Sequence, residues 1–513
     1  MPHSNPDLKN SSILTRLRNF AKNNRGATSI EYGLYALGIS LAIVPAVQMV
    51  GTRSSTTYAR IGAGLAGTDF IELKGTEGND VITGIPGIKN TIRGYGGDDT
   101  LTGADQNDKL YGGTGNDTLN GAAGDDFISG GEGADAISGG DGEDTADYSD
   151  SASPVAVNLE NNTGSGGDAE GDTFNSIENL TGTPGNDSLT GNSSANILSG
   201  LAGNDTLHGG GGNDTLIGGA GGDILDGGPG FDTVSYATAS SGVTLNIQDP
   251  SGNTGDAAGD SYGAIEAVTG SNYDDTILAT HMTISAGKGN DTITSNYYGA
   301  NRYIFNIGDG NDTVATTYYD ADTFVFGPGI SPNDVYATVD GNDLILHYSD
   351  NDTIRVLGAG ANVNASTLEF SDGTTRSMYF DPEVNTIPGY ENAAVKSGSS
   401  GADTMDGLYN GVTNAGTGDD ILGGGYYGSK TYFFAEGDGH DTLNLTYYDI
   451  DNLLFGSGIT SGDISTYAVG ADFYVKYSAN DWIKLSSAAY YATGYKTALM
   501  KFADGSSQGL FTN

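Results

Sequence analysis

GYGGDDTLT (94–102), GADQNDKLY (103–111), GGTGNDTLN (112–120), GAAGDDFIS (121–129), GGEGADAIS (130–138) and GGDGEDTAD (139–147) are consecutive nonapeptides of one continuous stretch. Their sixth place is always Asp: Asp99, Asp108, Asp117, Asp126, Asp135 and Asp144. The eighth place is Leu101, Leu110, Leu119, Ile128 and Ile137, then Ala146, where the run ends, and Gly dominates places one and four. A Gly-rich turn lets the backbone take φ > 0 and present carbonyl oxygens inward at little steric cost. An Asp just after it adds a hard anionic oxygen. These are the two kinds of oxygen that Ca2+ collects, roughly six to eight at a time. The x-U-x that follows puts one branched apolar side chain on one face of a short strand. Nine residues therefore make one half-site and one strand, and two nonapeptides make one coil.

The pattern G-G-x-G-x-D-x-U-x resembles the RTX (repeats-in-toxin) calcium-binding repeat, a parallel β-roll. The resemblance implies that each ion sits between turns on successive coils of the same side. One Leu per nonapeptide contributes about 2–3 kcal/mol of burial. That falls well short of the backbone entropy of fixing nine residues, several of them Gly. The metal-free roll is therefore expected to be disordered or loosely collapsed, with calcium binding a part of folding. A flexible acidic linker would not hold Asp and Leu in fixed register.

Composition agrees. The chain has 513 residues, 65 acidic against 21 basic, a formal charge of −44, 83 Gly and no Cys. The acid excess excludes nucleic acid as a partner, since phosphate would be repelled. Without Cys there are neither disulfides nor thiolate metal sites.

Upstream, GTEGNDVIT (75–83) places Asp80 and Ile82 in register, whereas GIPGIKNTIR (84–93) has ten residues and lacks the Asp, so a half-site is expected to be missing there. The first roll is assigned to 67–147, and 148–181 (VAVNL, then DAEGDTFNSIENL) reads as a strand pair closing it, the kind of cap a solenoid needs. A second roll over 182–235 carries Asp187, Asn196, Asp205, Asp214, Asp223 and Asp232 at the sixth place, Asn196 being a neutral and weaker ligand. A second closing insert, 236–269, parallels the first.

From residue 270 a longer repeat appears. YYGANRYIFNIGDGNDTV from Tyr297 matches YYGSKTYFFAEGDGHDTL from Tyr426, an offset of 129 residues, and FGPGISPNDV from Phe326 matches FGSGITSGDI from Phe455. Phe370-Ser371-Asp372-Gly373 matches Phe502-Ala503-Asp504-Gly505 after a three-residue slip. Modules are thus assigned to 270–380 and 398–513 with a linker at 381–397. Their candidate metal residues are Asp275, Asp291 and Asp312, then Asp403, Asp420 and Asp441. These modules resemble the haemolysin-type calcium-binding related domains found beside RTX repeats. Tyrosine is often paired here (Tyr297-Tyr298, Tyr318-Tyr319, Tyr426-Tyr427, Tyr447-Tyr448). Such pairs suit either strands with rim hydroxyls or stacking on a sugar or partner surface.

The N-terminal 66 residues differ in kind. Met1 to Gly26 carries Lys9, Arg16, Arg18, Lys22 and Arg25 against the single acid Asp7, and no charge follows Glu31 until Arg53. The stretch Tyr32–Val50 suits an apolar helix crossing the bilayer, and the basic flank predicts a cytoplasmic N-terminus. Arg25-Gly26-Ala27-Thr28-Ser29-Ile30-Glu31-Tyr32 resembles the leader and mature start of Flp-type (type IVb) pilins. The resemblance implies a leader over 1–26 cut after Gly26 by a prepilin peptidase, and a mature helix, 27–66, starting at Ala27. It also implies that Glu31, followed by Tyr32, meets the amine of a neighbouring pilin subunit. Glu31 at the head of an apolar helix is costly in lipid and needs such a reason. Pro45 within the helix departs from regular packing, and some 450 residues beyond residue 66 depart from a typically very small family.

No catalytic constellation stands out. The five His residues form neither HExxH nor any i,i+4 pair. The G-x-S-x-G string at Gly505–Gly509 has no His after Ser507, whereas the hydrolase order puts His last. The expected fold is mainly β: parallel β-roll (RTX β-solenoid) blocks plus duplicated β-rich C-terminal modules, preceded by a single N-terminal hydrophobic α-helix. The expected protein is not an enzyme. It would be a surface-displayed, calcium-binding pilin-like protein, a minor, tip or decorated subunit of a Flp-type (tad) pilus acting in adhesion to a carbohydrate, host or abiotic surface. Its precursor would sit in the inner membrane, and the body would lie at the cell surface or in the extracellular space. A membrane-tethered or secreted calcium-binding coat or matrix protein outside any pilus is the alternative, and an RTX hydrolase with an unrecognised site a further one.

Overall fold

The computed structural model describes residues 70–295, 299–315, 322–340, 343–358, 366–378, 395–398, 400–406, 412–423, 430–444, 451–486 and 499–510. The leader and hydrophobic helix, with Gly26, Ala27, Glu31 and Tyr32, lie outside the described residues, as do the four tyrosine pairs. Among the described residues the fold is strand and turn, with short 3-10 segments at Gly167–Ala169, Pro250–Gly252 and Gly255–Ala257. No described helix is long and apolar enough to cross a membrane.

The chain forms two compact units. The first holds the described residues up to Ala146 together with Asp172–Ile177. Its short strands pair in parallel with the strand two nonapeptides away. One sheet aligns Leu73, Ile92, Leu110, Ile128 and Ala146. The other aligns Ile82, Leu101, Leu119, Ile137 and Phe174. These side chains form two buried columns, Leu101, Leu110, Leu119 and Ile128 being fully inaccessible. The cause is local. Strand side chains alternate, so the middle residue of x-U-x turns inward, and the parallel register stacks like on like.

The second unit comprises Asp147–Gly171 and the residues from Glu178 onward. Three-residue strands continue the plan, with Val157, Leu189, Leu207, Leu225 and Tyr262 aligned in one sheet. Leu180, Leu198, Leu216, Val234, Val268, Ile284, Tyr303, Phe324 and Leu368 align in another. Within 148–181, Ala156–Asn158 pairs antiparallel with Thr163–Ser165 and parallel with Ser188–Thr190, so this strand pair opens the second roll. From the same insert, Thr173–Asn175 pairs with Ala136–Asp141 and completes the first.

The duplicated modules keep parallel pairing and add an antiparallel hairpin to it: Tyr336–Asp340 with Asp343–His347, and Ser465–Val469 with Asp472–Lys476. Larger aromatics replace the aliphatic columns. Phe326 lies 5.5 Å from Tyr348 and 5.4 Å from Phe370, ring centre to ring centre. Phe455 lies 5.4 Å from Tyr477 and 5.5 Å from Phe502. The match of Phe370 to Phe502 reproduces in space the three-residue slip seen in the alignment.

Candidate metal centres in the turns

The turns place the sixth-place carboxylates in ladders. The backbone N–H of Asp99 donates to Asp117 Oδ1 at 2.7 Å, and that of Asp117 to Asp135 Oδ1 at 2.7 Å. On the opposite side Asp108 donates to Asp126 and Asp126 to Asp144, at 2.7 and 2.8 Å. In the second roll Asp187, Asp205 and Asp223 form one ladder, and Asn196, Asp214 and Asp232 another, with bonds of 2.7–2.8 Å. Asp275, Asp291 and Asp312 continue the plan in the first module, and Asp403, Asp420 and Asp441 in the second. Within a roll each step spans 18 residues, one coil of two nonapeptides. Asp80 and Asp403 are half-buried, and the other candidates are at most 3 % exposed.

One oxygen of each accepting carboxylate is thus used, Asp99 accepting likewise from the N–H of Asp80 at 2.7 Å. The other, in Asp99, Asp117, Asp126, Asp205, Asp214, Asp223, Asp232, Asp291, Asp312, Asp420 and Asp441, is Oδ2, buried and without any hydrogen-bond partner. A buried anionic oxygen left in that state is costly. Burial pushes the Asp99, Asp205 and Asp214 carboxyls up to about 6 and those of Asp126, Asp223 and Asp291 up to about 7. It drives Asp312 and Asp441 up to about 8, against the pull of the N–H donors on Oδ1.

The first-place glycines make room for these oxygens. A Cβ on Gly112 would stand 2.2 Å from Asp117 Oδ2 and 2.4 Å from the carbonyl oxygen of Gly130 one coil on. On Gly209 it would stand 2.3 Å from Asp214 Oδ2 and 2.6 Å from the Gly227 carbonyl. Neither glycine has a positive φ, so space rather than backbone conformation demands Gly. Carboxylate and carbonyl oxygens therefore converge beside the same Cα. Among the described residues no three His, Cys, Asp or Glu side chains converge as a metal centre. A cation here would draw on single carboxylates and backbone carbonyls, the hard oxygen set that suits Ca2+.

Several ladder members were not marked in the sequence. Asn90 fills the Asp register of the ten-residue segment, its N–H donating to Asp108 Oδ1 at 2.6 Å. Asp172 and Asp260, each ending a D-A-x-G-D string in an insert, accept from the N–H of Asp135 and Asp223 at 2.7 and 2.9 Å. Glu266 accepts from Asp232 at 2.9 Å. The recurrence of D-A-x-G-D was the available signal. In the modules, Asp352 accepts from Gly308 and Gly310, and Asp481 accepts identically from Gly437 and Gly439.

The RTX calcium-binding nonapeptide repeat (4 copies) matches residues 89–119, 111–146, 172–207, 199–234 and 283–296. No curated protein matches the chain. Among solved structures, the extracellular lipase LipA from Serratia marcescens is similar at 18 % identity over 43 % of this chain, with a TM-score of 0.17. The chain spans only 38 % of the length of that lipase, and so loose a likeness carries nothing about activity. The matched segments take in the ladder residues from Asn90 to Asp144 and from Asp172 to Asp232, with Asp291, and the chain carries RTX calcium-binding nonapeptide repeats across residues 89–146, 172–234 and 283–296.

Proposed function

We propose that this chain is an extracellular, surface-displayed attachment protein whose body folds around calcium. The observation that carries the reading is the row of buried Oδ2 atoms without hydrogen-bond partners, Asp99, Asp117 and Asp126 in the first unit and Asp205, Asp214, Asp223 and Asp232 in the second. Calcium supplies these oxygens with the positive charge that no donor gives them. Asp80, Asp108, Asp135, Asp144, Asp187, Asp275 and Asp403 complete the ladders. Extracellular calcium sites work at about 10⁻⁴–10⁻³ M, so the chain crosses export machinery unfolded and orders outside.

The attachment role draws support from an aromatic row in the second module. Tyr467, Tyr474, Trp482 and His440 lie on adjacent strands with successive ring centres 5.1, 5.4 and 4.7 Å apart. The same register in the first module holds Thr338, Ile345, Thr353 and Asn311. The second module thus presents, at a register that is not aromatic in the first, a face suited to a carbohydrate or partner surface. No catalytic group is invoked.

Assembly as a minor, tip or decorated subunit of a Flp-type pilus rests on the motif Gly26-Ala27…Glu31-Tyr32 and the uncharged stretch after it. Prepilin peptidase then releases Ala27, and Glu31 pairs with the amine of a neighbouring subunit. The ladder geometry serves equally a tethered or secreted coat protein outside any pilus. Replacing Glu31 with Ala separates the two: filament incorporation is lost while surface display persists under the pilus reading. Unchanged incorporation contradicts it.

A further inference from the structure

The ladders contain two kinds of turn, distinguished by the backbone amide at the second place of the nonapeptide. In one kind this amide points at the carboxylate. The N–H groups of Thr76, Ala104, Thr183 and Ser271 donate to Oδ2 of Asp80, Asp108, Asp187 and Asp275 at 2.6, 2.7, 2.5 and 2.6 Å. Ile85 and Asn192 donate likewise to Oδ1 of Asn90 and Asn196 at 2.9 and 2.7 Å. The hydroxyls of Thr76, Thr183 and Ser271 add a second bond to the same carboxylates, at 2.9, 3.0 and 2.8 Å. In the other kind the second place is left-handed, which swings its amide away. Tyr95, Ala122 and Leu201 have φ of 81°, 85° and 74°, and Gly113, Gly210 and Gly219 have 121°, 103° and 95°. The Oδ2 atoms of their turns, in Asp99, Asp126, Asp205, Asp117, Asp214 and Asp223, lack any donor.

We infer that the amide-closed turns take no calcium and that the rolls begin on ion-independent rungs, calcium entering only the open turns. The inference rests on the calcium reading proposed above. Two further observations support it. Closure follows position: the turns of Asp80, Asn90, Asp187, Asn196 and Asp275 start their ladders, and only Asp108 is a second rung. Closure also follows chemistry, because Asn90 and Asn196, neutral where the open turns named here carry Asp, both stand in closed turns. An N–H dipole and a hydroxyl give a carboxylate the positive partner a cation would otherwise supply. A neutral Asn then suffices, because no ion has to be balanced. Leu201, Tyr95 and Ala122 hold a left-handed φ that disfavours a non-Gly residue, so the open state is imposed by the surrounding coil and not by glycine alone.

Calcium stoichiometry of the full-length chain tests this, measured by equilibrium dialysis with metal analysis, with far-UV circular dichroism to check folding in calcium. Asn196→Asp is expected to leave the ion count unchanged, because the Asn192 amide occupies the new carboxylate. Asp187→Asn is expected to lose no ion, whereas Asp205→Asn on the next rung loses at least one. A gain of one ion in Asn196→Asp, or an equal loss in Asp187→Asn and Asp205→Asn, overturns the inference while leaving the calcium reading intact. A wild-type chain that binds no calcium removes both.

Discussion

The nonapeptide GGGGNDTLI (209–217) contains a matched pair of glycines that separates the site from the turn. A Cβ on Gly209 would stand 2.3 Å from Asp214 Oδ2 and 2.6 Å from the Gly227 carbonyl, whereas on Gly211 its nearest neighbour is 3.7 Å away. Neither position has a positive φ. Gly209→Ala must therefore push the carboxylate off its place, at about 1–3 kcal/mol for overpacking. If one ion is lost as well, about 10 mM calcium over a dissociation constant of about 10⁻⁴–10⁻³ M no longer contributes its 1.4–2.7 kcal/mol. The combined loss is about 2–6 kcal/mol. Gly211→Ala should be neutral, or stabilising by about 0.4–1 kcal/mol through the unfolded chain. Calcium titration followed by far-UV circular dichroism, with a denaturant melt at fixed calcium, reads both. Equal calcium midpoints and equal stabilities for the two variants would refute the placement of the cation beside the first-place glycine.

Other outcomes follow from the same geometry. Leu216 is fully buried between Leu198 and Val234, so Leu216→Ala should cost about 2–5 kcal/mol in calcium, read by denaturant unfolding. A cost under about 1 kcal/mol would mean that the column is not the core. The ion-free fold holds carboxyls raised to between about 6 and 8, as at Asp99, Asp126 and Asp441. The unfolded chain releases those protons near pH 3.9. The folded form therefore binds more protons, and its stability is present at low pH and lost as pH rises through about 6–8. In chelator, β-structure should grow on acidification from about pH 8 to 5, and calcium affinity should fall over the same window; a flat response counts against buried, ion-seeking carboxylates. Trp482→Ala combined with Tyr474→Ala should reduce surface attachment severalfold with the calcium-dependent spectrum unchanged, and undiminished attachment would remove the aromatic row from the role proposed for it.

The period of nine made the columns and ladders legible because position in the repeat decides both which side chain faces inward and which carboxylate meets its neighbour one coil on. Legibility stopped where the period broke. Asn90 escaped because the segment has ten residues and a neutral side chain. Asp172, Asp260 and Glu266 escaped because the insert residues 148–171 and 236–259 come between them and the repeats. The state of each turn was not legible either. Ala104 and Ala122 hold the same place in the repeat, yet Ala104 closes its turn with a 2.7 Å bond while Ala122 sits at φ 85°. Residue type alone does not decide that difference. The same holds at Leu201, where a branched side chain takes a conformation ordinarily left to glycine.

The central claim is that calcium completes the fold by occupying turns whose carboxylates have no other partner. Far-UV circular dichroism and thermal unfolding of the repeat-bearing chain at pH 7.5–8, in excess chelator and in about 1–10 mM calcium, test it most directly over the range typical of extracellular sites. The account predicts a largely disordered spectrum without a cooperative transition in chelator, and a β spectrum with a cooperative melt in calcium. The same compact β spectrum and the same melting temperature in both conditions would contradict it.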